Sequence, residues 1–472
     1  MSKKKQKSIE ELLEEALVPE EEQPHKVPEN WVWVRFGYVA KLLNGYAFKS
    51  TDYSNEGIPI IRISDLNGIH TTPETAVRVP KELYNEKFLV QKGDLLIAMS
   101  GATTGKIGIY NSDEIAMQNQ RVGNIKTIND NVLCPKYRNY FVINSSKKIL
   151  KLAYGGAQPN ISGTLIESLA FPLPPMDEQK RIAEKVERLF AKIDEAKRLI
   201  EEVKESVELR RAAILDKAFK GQLGTNDPNE ESMLETSNGI KEKNLVPKEE
   251  QPYEVPKNWV WVRFGYVAKL LNGYAFKSTD YSNEGIPIIR ISDLNGIHTT
   301  PETAVRVPKE LYNEKFLVQK GDLLIAMSGA TTGKIGIYNS DEIAMQNQRV
   351  GNIKTINDNV LCPKYRNYFV INSSKKILKL AYGGAQPNIS GTLIESLAFP
   401  LPPMDEQKRI VERLDKLLGK LDEQEEMVLE VEQKLDLLKQ SILNKAFRGE
   451  LGTNDPNDEH AIELLKEALK SQ

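Results

Sequence analysis

Apolar residues recur at alternating spacings of four and three in two long segments of the chain. The first segment follows Met176 and the second follows Met404, and charged residues occupy the outer positions of both. A repeat of 3.5 residues leaves a narrow seam that must be buried against another helix. Because both seams lie in one chain, we expect an antiparallel coiled coil within it, with pairing to another subunit as the alternative. The seam positions are Ile182, Val186, Leu189, Ile193, Ala196, Ile200, Val203, Val207 and Ile214, then Ile410, Leu414, Leu417, Leu421, Val428, Val431, Leu435, Leu438 and Ile442, with one interruption in each helix, at Arg210 and at Gln424.

Local signals mark the two ends of each long helix. Both segments follow a Pro-Pro pair, and Asp177 and Asp405 are the predicted N-caps. Gly221 and Gly449, each followed by the sequence GTNDPN, are predicted to end the helices. Each helix then has about 40 residues and a length of roughly 60 Å.

Short runs rich in Ile and Val precede each long helix. In the first half of the chain they start at Ile58, Asp94, Lys106 and Arg121 and have the pattern of strands. Residues 135–153 and 161–169 look helical. Strands and helices do not alternate regularly, so the pattern predicts an α+β fold.

The chain contains one long sequence twice. Residues 30–182 recur without a change at 258–410, and weaker similarity continues on both sides at the same offset. Downstream, for example, KAFKGQLGTNDPN is matched by KAFRGELGTNDPN. A period this long indicates a duplicated module with its connector rather than a solenoid.

The repeat sets the predicted domain boundaries. They are an N-terminal segment 1–29, a module 30–175, a long helix 176–225, a linker 226–257, an identical module 258–403, a second long helix 404–450 and a tail 451–472. The tail sequence AIELLKEAL resembles SIEELLEEAL in the N-terminal segment. One interpretation is a circular, pseudo-two-fold symmetric organisation in which the tail packs near the N-terminus and the two complete a shared helical framework. The other is two unrelated Glu/Leu/Lys-rich helices, and these residues favour neither.

The charge of the chain is unevenly distributed. The whole chain has a net charge of −2, which by itself argues against a nucleic-acid partner. Each copy of the repeat, however, has 18 Lys plus Arg and 13 Asp plus Glu, a net charge of +5, so the remaining 166 residues carry −12. The sequence therefore predicts two mildly basic modules on an acidic helical framework.

Several classes of protein are disfavoured by what the sequence lacks. Cys134 and Cys362 have no partner at metal-ligand spacing, and no run approaches the ~18 apolar residues of a membrane span. The basic N-terminus passes directly into an acidic amphipathic stretch instead of an apolar signal core. We therefore expect a protein of the reducing cytoplasm, neither secreted nor membrane-bound.

No catalytic motif is apparent in the modules. Each has a single histidine, His70 or His298, and neither HExxH nor GxSxG occurs. The sequence SGATTGKIG has three residues instead of four between its glycines, and Ile107 stands where a phosphate-binding loop needs Ser or Thr. We interpret it as a glycine turn between strands.

Polar loops rich in Arg, Asn, Gln, Ser and Thr are the candidate functional elements. Arg can read guanine and Asn or Gln can read adenine through paired hydrogen bonds, while Ser, Thr and Lys bind phosphates. The alternative is that these side chains satisfy their own turns. The candidate DNA-binding residues of the first module are Lys49, Arg62, Ser64, Asn67, Ser100, Thr103, Thr104, Lys106, Gln118, Asn119, Gln120, Arg121, Gln158, Asn160 and Ser162. Those of the second are Lys277, Arg290, Ser292, Asn295, Ser328, Thr331, Thr332, Lys334, Gln346, Asn347, Gln348, Arg349, Gln386, Asn388 and Ser390.

Four sequences, each present twice, resemble the specificity subunit of Type I restriction–modification enzymes. They are GIPIIRISDL, GDLLIAMSGATTGKIGIY, NQRVGN and GGAQPNISGTLIESLAFPLPPMDEQKRI, and the resemblance covers nearly the full chain. It implies two target-recognition domains that each read half of a bipartite site in double-stranded DNA, and a helix pair that fixes the spacer.

The resemblance also implies partners and a location. Two methyltransferase subunits would dock on the helices, and restriction/translocase subunits would join them. S-adenosylmethionine, ATP and magnesium would be bound by those partners, with no cofactor, metal or catalysis on this chain, in the cytoplasm of a prokaryote.

Family members usually carry two different recognition domains, whereas these two are identical. Antiparallel helices would relate them by a two-fold axis, which predicts an interrupted palindrome as the site. The alternatives are a stand-alone DNA-binding regulatory or structural protein that self-associates through the coiled coil, and a fused restriction–methylation enzyme. The second lacks the motifs it would need.

Overall fold

Two compact units make up the chain, and the long helices contribute to both. The computed structural model describes residues 8–154, 159–236, 240–382 and 388–470. One unit comprises Met1–Ile200 with Glu430–Gln472, and the other Glu201–Leu429. Each unit thus contains one module, part of the first long helix and part of the second.

The module of the first unit contains three small sheets. Their orders are β1-β11, β2-β10-β7-β8-β4 and β5-β3-β9-β6. Pairs β4–β8 and β3–β9 are parallel, and the others are antiparallel. The predicted α+β class is therefore confirmed. The strands are β1 Val32–Arg35, β2 Ala40–Asn44, β3 Ile58–Ile61, β4 Gly68–Thr71, β5 Arg78–Val79, β6 Leu89–Val90, β7 Leu95–Ala98, β8 Ile107–Tyr110, β9 Ala116–Gln118, β10 Val122–Thr127 and β11 Ala170–Leu173.

The module of the second unit has the same topology. Its sheets are β12-β22, β13-β21-β18-β19-β15 and β16-β14-β20-β17. The strands are β12 Val260–Arg263, β13 Ala268–Asn272, β14 Ile286–Ile289, β15 Gly296–Thr299, β16 Arg306–Val307, β17 Leu317–Val318, β18 Leu323–Ala326, β19 Ile335–Tyr338, β20 Ala344–Gln346, β21 Val350–Thr355 and β22 Ala398–Leu401.

Each module has one principal helix, which carries its aromatic core. This helix is Pro135–Ala153 in the first unit and Pro363–Ala381 in the second, and shorter helices follow at Gly163–Glu167 and Gly391–Glu395. In the first unit the ring of Phe141 lies 4.7 Å from that of Phe171 and 5.7 Å from that of Phe447. Burying a phenylalanine contributes about 1.5–3 kcal/mol. Phe447 follows the second long helix, so it attaches that helix to the module.

The long helices are Met176–Phe219 and Met404–Ala446. In the first unit Lys197 pairs with Asp436, and in the second Arg211 pairs with Asp422 at 2.9 Å. The early half of one helix thus lies beside the late half of the other, which confirms the antiparallel coiled coil. The predicted seam is incompletely buried, because Val203, Val431 and Leu438 are 41%, 45% and 48% exposed.

The predicted N-caps are wrong. Both helices begin at the methionine directly after the second proline, so Asp177 and Asp405 lie inside the first turn. A helix start tolerates proline well, because the fixed φ of proline suits the first turn and proline has no N–H that needs a hydrogen-bond partner. The two carboxylates still favour the helix start through its dipole, and they pair with Lys180 and Lys408 at 3.2 and 3.0 Å.

In the first unit, the segment after the second long helix binds the start of the first long helix. Arg181 donates to the carbonyl oxygen of Thr453 at 2.9 Å and pairs with Asp458. Trp31 Nε1 donates to Asn454 Oδ1 at 3.2 Å. The GTNDPN sequence therefore holds together the long helix and the entry into the module, in addition to ending a helix.

The same contacts recur in the second unit. Arg409 donates to the carbonyl oxygen of Thr225 at 3.0 Å and pairs with Glu230 at 2.7 Å. Trp259 Nε1 donates to Asn226 Oδ1 at 3.1 Å. Here the segment follows the first long helix and binds the start of the second one.

The tail packs on the N-terminal segment within the first unit. Helix Ile462–Lys470 contacts helix Ile9–Ala16, and Leu465, Leu469 and Ala16 are buried in one core. This is the arrangement that the circular interpretation predicts. In the second unit, the described residues of the corresponding segment include the short helix Met233–Thr236.

Candidate nucleic-acid interface

Three polar loops of the first module meet beyond the end of β7. Met99 N donates to Arg121 O at 2.9 Å, and Ile161 N donates to Met99 O at 2.8 Å. Ser100 and Asn160 form an isolated antiparallel bridge beside them. Residues far apart in sequence are thus joined backbone to backbone, and the loops form one rigid surface.

Arg121 lies at the centre of this surface. A Cβ built on Gly101 would come within 4.0 Å of Arg121 Nη1, so the guanidinium lies over the glycine turn. Gly101 has φ +99°, a conformation that glycine adopts without strain. Arg121 is exposed and has no ion pair among the described residues. Its five donors are therefore free to bind an acceptor.

Tyr46 is a member of this surface that sequence analysis missed. Tyr46 N donates to Gln118 O at 3.0 Å, and Gln120 N donates to Tyr46 O at 2.9 Å. The ring lies 5.0 Å from Phe48 and 5.4 Å from Phe88, yet 48% of the residue is exposed. A large aromatic residue held in place beside polar loops suits contact with a base or sugar. Its position depends on a strand pairing that its own sequence context does not show.

Several predicted residues make hydrogen bonds or ion pairs within the module instead. Gln118 is 1% exposed and its Nε2 donates to Leu43 O at 2.8 Å. Arg62 Nε pairs with Asp65 at 3.2 Å, and Ser64 Oγ donates to the same carboxylate at 3.1 Å. Their counterparts Gln346, Arg290 and Ser292 have the same partners at the repeat offset.

Residues near the start of the short helix are also engaged. Ser162 Oγ accepts from Leu165 N at 3.2 Å and so caps helix Gly163–Glu167. Thr104 Oγ1 donates to Gly101 O at 2.7 Å. Ser390 and Thr332 repeat these bonds in the second module. Such side chains satisfy local backbone groups, as the alternative interpretation of these loops expected.

The other predicted residues differ in exposure. Lys49, Asn67, Lys106, Gln120 and Asn160 are exposed, while Asn119 is buried and accepts from Arg121 N at 3.4 Å. Thr103 Oγ1 is buried without a hydrogen-bond partner among the described residues. Gln158 and Gln386 lie outside the described residues. In the second module the exposed set is Lys277, Asn295, Lys334, Gln348, Arg349 and Asn388, with Asn347 and Ser328 half-buried and Thr331 Oγ1 unpaired like Thr103.

The second module repeats the central geometry. Met327 N donates to Arg349 O at 2.9 Å, and Ile389 N donates to Met327 O at 2.8 Å. Tyr274 is also 48% exposed. Each unit therefore presents the same chemical surface.

Buried charged groups elsewhere in the units have partners within the fold. Arg138 donates to Asn139 Oδ1 at 2.7 Å, and burial lowers the pKa of Arg138 to about 10, so it stays charged at neutral pH. At the helix starts, Glu178 accepts from Thr453 Oγ1 and pairs with Arg181, and Glu406 accepts from Thr225 Oγ1 and pairs with Arg409. Burial raises the pKa of both carboxyls above the ordinary value. Within the described ranges no cluster of His, Cys, Asp or Glu could hold a metal ion. Nor does any described helix have the length and apolarity to cross a membrane.

Comparison with known families identifies both modules. A model of the Type I restriction modification DNA specificity domain matches residues 28–205 and 256–432. The EcoKI specificity subunit of Escherichia coli K12 is 27% identical over 451 residues, covering 90% of each chain. The MjaVIII specificity subunit of Methanocaldococcus jannaschii is 24% identical and covers 92% of this chain and 95% of that protein.

Two solved structures share the fold. A chain from a study of complex assembly and conformational transition of the type I R-M system has a TM-score of 0.70 at 22% identity. The HsdS subunit of Thermoanaerobacter tengcongensis has a TM-score of 0.51 at 21% identity. Both alignments cover 91% of this chain and the whole of the other.

Proposed function

Because the chain belongs to the Type I restriction–modification DNA specificity family, we propose that its two identical modules each read one half of a single bipartite DNA site. The relatives are named specificity subunits of restriction enzymes. The function assigned to this chain is therefore recognition, and methylation and cleavage are left to partner subunits. The proposed domain boundaries are those of the sequence repeat.

The duplicated surface around Arg121 and Arg349 is the observation that carries the proposal. Identical side chains on identical backbone must prefer the same base sequence. Antiparallel long helices would relate the two modules by a two-fold axis and so present them to opposite strands. The same symmetry pairs dimeric repressors with palindromic operators. We therefore propose that the site is an interrupted palindrome.

Within each module, the exposed residues are the ones proposed to contact DNA. In the first module these are Arg121, Gln120, Asn160 and Tyr46, with Lys49 and Lys106 as candidates for phosphate contacts. Arg121 is the best candidate for direct base contact, since its guanidinium is free and can bind guanine through two hydrogen bonds.

The long helices are proposed to set the spacer and to bind two methyltransferase subunits. Leu209 and Leu437 are 73% and 71% exposed, although both lie in helices with buried seams. Leu199 and Val203 on the first helix and Val431 and Leu438 on the second are also 41–48% exposed, and a group of exposed apolar side chains on a helix suits contact with a further protein. Restriction/translocase subunits would join this complex, and S-adenosylmethionine, ATP and magnesium would be bound by the partners. Such an assembly would act on DNA in the cytoplasm.

Reconstitution tests this proposal. The full chain is mixed with methyltransferase subunits of a Type I system, and the mass of the complex is measured. We expect one chain with two methyltransferases and methylation of DNA by S-adenosylmethionine that requires this chain. A chain that self-associates and recruits no methyltransferase would contradict the proposal.

A variant tests the docking surface separately. Leu209→Glu with Leu437→Glu should abolish methyltransferase binding and leave the thermal unfolding temperature nearly unchanged, because both side chains are already exposed. An unaltered complex mass would place the docking surface elsewhere on the chain.

A further inference from the structure

One face of each module helix carries three exposed lysines. In the first module these are Lys147, Lys148 and Lys151 of helix Pro135–Ala153. At about 100° per residue they lie within one ~100° arc of the helix surface. None has an ion-pair partner among the described residues.

Six of the thirteen other cations of the module have an ion pair. Arg78 pairs with Glu114 at 2.6 Å, and Lys92 pairs with Asp113 at 2.9 Å. Lys126 and Lys136 pair with Asp94 and Glu187 at 3.1 and 2.7 Å. Among the described residues of the module, the three helix lysines are the only exposed cations without an ion pair that lie together on one helix.

The lysine face is fixed to the polar loops by direct contacts. A Cβ built on Gly105 would lie 2.9 Å from Leu150 Cδ1, so the helix packs on the glycine turn. Asn160 N donates to Ala153 O at 3.3 Å, which ties the helix end to a second loop. Tyr154, at the end of the helix, is 60% exposed. The lysines and Arg121 are thus carried by one rigid body.

A purely structural role explains only part of this pattern. Lysine in the last turn of a helix interacts favourably with the helix dipole, but of the three only Lys151 lies in that turn. Lys147 and Lys148 lie before it.

We propose that Lys147, Lys148 and Lys151, with Lys375, Lys376 and Lys379 in the second module, bind the DNA phosphates beside each half-site. The inference rests on the proposed function and extends it by naming the backbone-binding element. Lysine is a compact point charge on a flexible stem, which suits phosphate better than a base edge. Such contacts position a module and carry no sequence information.

The test is the salt dependence of DNA binding by the full chain. A fluorescent 40-base-pair duplex of random sequence is titrated between 25 and 150 mM NaCl. The six lysines are replaced by glutamine. In the control variant, six other lysines are replaced by glutamine, which are Lys81, Lys92 and Lys136 of the first module and Lys309, Lys320 and Lys364 of the second. The control removes the same charge from exposed lysines elsewhere in the modules. Far-UV circular dichroism and thermal unfolding establish that both variants fold.

Each lost phosphate contact lowers the slope of log K against log [salt] by about 0.9. The six-lysine variant should therefore lose about 2.7 in slope if one module engages the duplex and about 5 if both do. The control should change by less than 1. Equal slopes for the wild type and the six-lysine variant would refute phosphate binding by the helix lysines, and so would an equal loss of slope in the control. Neither result would contradict the proposed function. A wild-type chain that binds no duplex at 25 mM NaCl, either alone or with methyltransferase subunits, would overturn the proposed function itself.

Discussion

Replacing Arg121 tests which group reads the DNA, and the duplication supplies an internal control. Arg121→Ala alters the first module only, and Arg349→Ala alters the second only. If each module reads one half-site, either single variant should relax one half and leave the other unchanged. The double variant should relax both halves at the same position.

The expected magnitude follows from the environment of the side chain. Arg121 is exposed and lacks an ion pair among the described residues, so its removal leaves no buried charge behind, and stability should change by no more than about 0.5 kcal/mol. A base contact is worth about 1–3 kcal/mol, which is roughly 5- to 150-fold in affinity per half-site. Arg121 and Arg349 have no common side-chain partner among the described residues, so the two losses should add.

Arg121→Lys separates base contact from phosphate contact. Lysine keeps the charge and loses the planar fork that binds guanine through two hydrogen bonds. If Arg121 reads a base, the lysine variant should lose sequence preference almost as fully as the alanine variant. If it binds a phosphate, the lysine variant should retain both affinity and preference.

Selection of bound sites from a randomised duplex pool by the reconstituted complex provides the measurement. Arg78→Gln with Arg306→Gln is the control, because these arginines are paired with Glu114 and Glu342. The control should lower the unfolding temperature slightly and select the wild-type site. Wild-type selection by the double Arg121 and Arg349 alanine variant would refute the assignment of this surface.

Three further predictions concern the framework. Four residues inserted into each long helix add about 6 Å, so the preferred spacer, read from the same selection, should grow by one or two base pairs; an unchanged spacer would contradict the helix pair as its determinant. Replacing Glu178 and Glu406 by glutamine should remove a pH dependence of the unfolding free energy. Because burial raises the pKa of both carboxyls in the folded state, the wild type should lose stability relative to the variant as the pH rises from about 4 to 7, measured by urea unfolding. A rise instead would show that Arg181 and Thr453 outweigh burial. Leu465→Ala should lower the unfolding free energy of the first unit by about 2–5 kcal/mol in calorimetry, whereas an unaffected transition would mean that the tail is not part of that core.

Most of the fold could be predicted from the repeat and from the periodic apolar segments. Helix Pro135–Ala153 has the predicted bounds, and the two seams pair antiparallel as expected. The exposure of Val203 and Leu438 could not be predicted, because a seam pattern indicates that a helix needs a partner without showing how closely the partner approaches along its length. Each long helix starts two residues earlier than the predicted N-cap implies, because the carbonyl of the proline before each methionine already accepts the first helical hydrogen bond.

Less of the candidate surface could be predicted from the sequence. Composition selected Gln118 and Arg121 together, although only a sheet register decides that the first is buried against Leu43 and the second is exposed. Tyr46 was missed for the same reason. The contacts of the GTNDPN segments could have been suspected from the sequence. GTNDPN recurs unchanged outside the identical block, and helix termination alone would not require an identical sequence there.

The measurement that tests the central claim most directly is a map of methylated bases made by the reconstituted complex. DNA methylated by the full chain with its methyltransferase subunits is sequenced with a method that detects modified adenine and cytosine. Two identical modules predict one interrupted palindrome, with the same half-sequence modified on opposite strands. Two unrelated half-sites would contradict the claim that both modules read DNA in the same way.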